Sequence, residues 1–113
     1  MNTDNIYDFL TNYNLINRVS CYKYITEIKS QKNSLTSEEL NNLVAKYRSD
    51  LQEDFNSNLQ KTIDKLNFDK NIEVKNPYAE NKKINLLDLM IHTTINADRQ
   101  WILEYFDKEI SNL

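Results

Sequence analysis

One histidine, one cysteine and a scatter of carboxylates are the groups that 113 residues offer for metal or nucleophile chemistry. A zinc site draws three or four ligands from His, Cys and carboxylates. His92 is the candidate metal ligand. Asn96 stands four residues on, so the two face one point of a helix, and Asp88, Asp98 or Asp54 would complete the set. Cys21 with His92 is the available nucleophile–base pair. Cys21 lies at the edge of an apolar helix face, however, where Cys behaves as a small core residue. Two close carboxylates would serve acid–base work, although 17 Asp and Glu make chance pairs common. The chain contains no Gly. Phosphate loops, dinucleotide fingerprints and nucleophile elbows need backbone that approaches a ligand closely or takes positive φ. Those classes are therefore excluded.

Three helices must position these groups. The first is expected over about 4–30, with Thr3 or Asp4 as N-cap. Ile6, Phe9, Leu10, Tyr13, Ile16, Tyr24 and Ile28 fall on one arc of it. Asn33 is the expected stop. The second helix, about 37–67, opens on a capping box of Thr36 and Glu39, with Leu35 and Leu40 placed for a hydrophobic staple. Its series Leu40, Val44, Tyr47, Leu51, Phe55, Leu59, Ile63 and Leu66 runs unbroken to Asn67. The third, about 86–110, takes Asn85 as N-cap. Leu87, Met90, Ile91, Ile95, Trp101, Ile102, Tyr105 and Phe106 form its apolar face.

Residues 68–84 lack helical period. Ile72 to Lys75 alternate as a strand does. Asn76-Pro77 favours extended geometry, Ala79-Glu80-Asn81 reads as a turn, and Lys82-Lys83-Ile84 would return as the partner strand. The segment is a short hairpin or a plain loop. The fold class is all-α: one helical domain over 1–113, an elongated three- to four-helix bundle with this excursion before its last long helix.

Several polar residues fall inside apolar arcs: Asn17 and Ser20 on the first helix, Asp54, Asn58 and Thr62 on the second, Asp98 on the third. His92, Asn96 and Arg99 share a flank beside Phe106. Burying an unpartnered polar group costs about 1–3 kcal/mol, so each needs an account. One reading is a hydrogen-bonded inter-helix layer of Asn17, Ser20, Asn58 and Asp98, with Asp98 bonded to a Tyr hydroxyl, Asn17 or Arg18. Another is a polar pocket flanked by His92, Asn96 and Arg99. The third is plain exposure through helix curvature.

The stretch from Leu86 to Gln100, with the excursion before it, resembles the C-terminal part of DinB/YfiT-like helical-bundle proteins. His92 matches the first His of that family's H-x-x-x-H element, Asn96 stands where the second would be, and Asp98-Arg99-Gln100 echoes the motif's end. Tyr13-Asn14-Leu15-Ile16-Asn17 is similar to a first-helix element of the family. The resemblance implies a metal-dependent hydrolase or thiol transferase, with a divalent metal on His92 and nearby carboxylates.

Net charge is −3, and the basic residues are scattered, with Lys82-Lys83 the one adjacent pair. This is the wrong sign for a phosphate-backbone binder, so no nucleic-acid partner is expected. No apolar run nears the roughly 18 residues of a membrane span, and the start Met-Asn-Thr-Asp has no basic segment followed by an apolar one. With one Cys and no internal disulfide, the expected location is cytoplasmic. The leading expectation is a non-catalytic helical protein without cofactor that binds another protein, as an immunity- or inhibitor-type protein does. Helices this long leave a limited core, so a homo-oligomer, in particular a homodimer, is also expected. The DinB-like metal enzyme is the alternative.

Overall fold

The computed structural model describes the backbone from Thr3 to Leu113 and side chains from Ile6 onward. The capping side chains expected at Thr3 or Asp4 lie outside the described residues. Helix α1 (Thr3–Gln31) and helix α2 (Ser37–Leu66) lead into a hairpin of β1 (Glu73–Lys75) and β2 (Lys83–Asn85). A third rod comes next, built from α3 (Leu86–Met90), a π-helical turn (Ile91–Ile95) and α4 (Asn96–Ser111). The result is an elongated three-helix bundle. It measures 57 × 28 × 17 Å, with a radius of gyration of 17.3 Å, against about 13 Å for a compact chain of roughly 100 residues. Among the described residues, no helix is long and apolar enough to cross a membrane.

Local chemistry explains the boundaries. Thr36 Oγ1 accepts from the Glu39 amide at 3.1 Å, and Glu39 accepts from the Thr36 amide at 3.0 Å. Those bonds hold the Glu39 carboxyl below its ordinary pKa and satisfy two free donors of the α2 N-terminus. At the other end Asn67 takes φ 51. The Phe68 amide then donates back to the Ile63 carbonyl at 3.0 Å, the bond that closes a helix after a left-handed residue. Asn81, at φ 60 in the hairpin turn, is the second such position. Asn33 does not play this part. α1 tightens into a 3-10 turn at Lys32–Ser34 and leaves through extended Leu35, so its last carbonyls are met by shorter-range bonds.

The excursion is a true antiparallel hairpin, pairing Glu73 with Asn85, Val74 with Ile84 and Lys75 with Lys83. Asn76 Oδ1 accepts from the Tyr78 amide at 2.8 Å, a local turn bond around Pro77. Asn85 ends the strand and caps α3, accepting from the Asp88 amide at 3.1 Å.

The third rod is not one regular α-helix. Its buried residues on either side of the break are Met90 and Ile95, five positions apart. An α-helix cannot put both on one face, whereas i→i+5 bonding over Ile91–Ile95 can.

The core forms two apolar clusters. One holds Cys21, Ile25, Ile28, Leu51, Phe55, Ile102, Leu103 and Phe106. The other, at the hairpin end, holds Phe9, Tyr13, Ile63, Leu86, Met90 and Ile95. Residues Asn17 and Asn58, buried at 1% and 3% exposure, lie between them in chain level.

Candidate interaction surface

Three of the polar residues on apolar arcs meet. Asn58 Nδ2, on α2, donates to Asn17 Oδ1 at 3.0 Å and to Ser20 Oγ at 3.3 Å, both on α1. Thr62 Oγ1 donates to the Asn58 carbonyl at 2.8 Å. Beside them the Tyr13 hydroxyl donates to the Phe55 carbonyl at 2.6 Å and accepts from Arg99 Nε at 2.9 Å. Arg99, half-buried, thereby ties α4 to both other helices, with its guanidinium 5.7 Å from the Tyr13 ring and 5.9 Å from that of Phe55. Among the described residues no buried side-chain polar atom lacks a partner. Asp54, half-buried, accepts from the Tyr24 hydroxyl at 2.7 Å. Burial and this carboxylate push the Tyr24 phenol well above its ordinary pKa.

Asp98 is outside this layer, contrary to the sequence expectation. It is half-buried on α4. Burial raises its carboxyl pKa, while the Arg18 charge opposes that shift. The expected flank of His92, Asn96 and Arg99 is also divided. His92 and Asn96 are exposed, whereas Arg99 turns inward. The extra residue of the π turn rotates the helix beyond it relative to the helix before it, so one helical wheel cannot describe both sides. No group of three or more His, Cys, Asp or Glu among the described residues is placed to hold a metal ion. The ligand set expected around His92 is therefore not assembled. Cys21 is buried, its thiol pushed up to about 11 by desolvation and, secondly, by Glu109. It is a poor nucleophile in that state.

The surface feature with most chemical content lies where hydropathy places core. Trp101 and Tyr105 are expected on the apolar face of the third helix, inside the bundle. Tyr105 does pack, partly buried, against the core, but Trp101 is 49% exposed, and on α1 Leu15 is 61%, Val19 58% and Tyr22 50% exposed. Spacings of i, i+4 and i+7 put the α1 residues on one outward stripe. The α4 residues join it: Trp101 and Tyr105 stack at 5.8 Å, Tyr22 meets Tyr105 edge-on at 5.7 Å, and the Arg18 guanidinium sits 4.6 Å over the Trp101 ring. Arg18 is held there by its Nε bond to Asn14 Oδ1 at 3.1 Å. The ridge is flanked by two open notches, about 290 Å³ beside Leu15 and Arg18 and about 220 Å³ beside Trp101 and Lys108. Neither is a pocket for a small ligand. The signal is present in the sequence: Leu15, Val19 and Tyr22 are absent from the inward arc of the first helix yet form an arc of their own.

Comparison with protein-family models, with curated proteins and with solved structures found no match to this chain.

Proposed function

We propose that this chain is a non-catalytic helical protein that acts through protein–protein interaction, with the α1–α4 ridge as its contact surface. The carrying observation is the contiguity of Leu15, Arg18, Val19, Tyr22, Trp101 and Tyr105 on the exposed side of the bundle. Trp, Tyr and Arg are the residue types that dominate binding energy at protein interfaces. Full burial of a large apolar side chain contributes about 1.5–3 kcal/mol; these residues are about half exposed, so each retains roughly half of that as a drive to cover the ridge. Contiguous exposed apolar surface on one face marks interaction sites more than scattered single residues do. A basic target of the inhibitor or immunity type is the second reading of the partner, favoured by the net charge of −3, because opposite potentials speed encounter.

The test is retention of companions from the native host on tagged chain, comparing the unaltered protein with Leu15→Glu and Trp101→Ala. Any protein held in stoichiometric amount, untagged copies of this chain included, is expected to be lost by both variants. Equal retention by the variants, or no companion for a chain that is also monomeric at every concentration, would overturn the reading.

A further inference from the structure

We infer that a second copy of this chain covers the ridge, lying antiparallel about a two-fold axis between Arg18 and Val19. The inference rests on the protein-binding reading above and names its partner. Its ground is a symmetry in the outward stripe of α1. Leu15 and Tyr22 share one midpoint with Asp8 and Lys29, the step between Arg18 and Val19. These outward residues recur at seven-residue spacing, so they stay on one face through the helix. Asp8 and Lys29 are exposed at the two ends of the stripe.

Charge selects the direction. In a parallel pair, Asp8 would oppose the partner's Asp8 and Lys29 the partner's Lys29, both repulsive. In the antiparallel pair, Asp8 faces the partner's Lys29 at each end, and Leu15 faces the partner's Tyr22. Lys29 already reaches Glu109 of its own α4 at 3.4 Å, so it would sit between two carboxylates. Asp8 has no ion pair among the described residues. At the centre, Arg18 spreads its charge over the Trp101 ring and lies within the electrostatic reach of Asp98. Trp101 of each copy stands level with the axis, because α4 runs beside α1 in the same direction, as the Arg18–Trp101, Tyr22–Tyr105 and Lys29–Glu109 contacts show.

Size sets the strength. From Asp8 to Lys29 the stripe is about 32 Å long, and a two-helix face is about 20 Å wide, so each copy contributes roughly 600 Å². A total of about 1,200 Å² is the lower end for a specific interface, so the dimer exchanges with monomer at modest concentration.

Sedimentation equilibrium of the full chain from micromolar to near-millimolar tests this, with the lone Trp101 as a second readout. Dimer formation and a concentration-dependent blue shift of its emission are expected. Leu15→Glu abolishes both without altering helix content. Asp8→Lys weakens dimerisation about twofold to thirtyfold, the range for two exposed ion pairs per dimer. Adding Lys29→Asp restores most of it. Under mild oxidation Val19→Cys cross-links near the axis, while Leu15→Cys, about 10 Å from its counterpart along the helix, does not. A monomer at every concentration, a dimer indifferent to Leu15→Glu, or cross-linking through Leu15→Cys would each overturn the inference. A monomer whose ridge variants still lose a host companion removes the second copy and leaves the protein-binding reading standing. A monomer with no ridge-dependent companion removes both.

Discussion

Asn58 carries two inter-helix bonds on one amide, to Asn17 at 3.0 Å and Ser20 at 3.3 Å. In a buried setting the cost of losing it falls on the acceptors left behind, since an orphaned buried group costs about 1–3 kcal/mol. Asn58→Leu is therefore expected to lower unfolding free energy by about 2–4 kcal/mol, two acceptors being stranded. Asn17→Leu combined with Asn58→Leu is expected to recover much of that, because apolar groups then face each other. Urea unfolding of the two single variants and the pair measures it, and purely additive losses would contradict this coupling. Asn17, Ser20 and Asn58 are legible from sequence because each stands on an arc otherwise apolar. Asp98 falls into the same layer on a helical wheel because that wheel counts Trp101 and Tyr105 as inward and runs on from a stretch that is not α-helical; the buried Ile102, Leu103 and Phe106 instead centre the inward face of α4 near Arg99.

That stretch is the Ile91–Ile95 turn. The capping box, the Asn67 stop, the hairpin and the Asn85 cap are local devices, each readable from a few neighbouring residues. The π turn is not local in that sense, since its signature is the five-residue gap between two buried positions, Met90 and Ile95. Ile91, partly buried in the same cluster, disguises the gap as an ordinary four-residue step to Ile95. Trp101 reads as inward for a related reason: it is large and apolar, and hydropathy alone does not say which side of a helix its neighbours leave open. If the π turn is one surplus residue in an α-helix, removing that residue restores regular geometry without moving either inward face. Deleting exposed Thr94 is expected to leave the fold and its thermal midpoint within a few degrees of the parent. Deleting Glu104, within regular α4, rotates every later residue by about 100° and drives Phe106 out of the core. Circular dichroism melts of the two deletions distinguish these outcomes. Equal damage from both would mean that the π turn is needed in its own right.

A molecule 57 Å long with two apolar clusters invites the expectation that its ends unfold separately. The connections oppose that. α2 passes unbroken through both clusters, contributing Leu51 and Phe55 to one and Ile63 to the other. The polar layer between them is fully partnered, so it transmits order instead of interrupting it. Arg99 adds a tie from α4 to Tyr13 and the Phe55 carbonyl, and Phe55 itself belongs to the cluster away from the hairpin. The bidentate Arg48–Asp107 pair, at 2.9 and 3.1 Å, joins α2 to α4 again. It is exposed, so it contributes at most about 1 kcal/mol. Unfolding is therefore expected as one cooperative transition, typical of a chain this size. Far-UV circular dichroism, which reads all helices, and Trp101 fluorescence, which reads the α1–α4 side, should trace coincident curves below the dimerisation range. Phe9→Ala in the hairpin-end cluster and Phe106→Ala in the other each remove a fully buried ring, at about 3–5 kcal/mol. Each is expected to move the single transition as a whole. A biphasic curve in Phe9→Ala, with Trp101 following only its later phase, would show instead that the polar layer divides the bundle into two folding units.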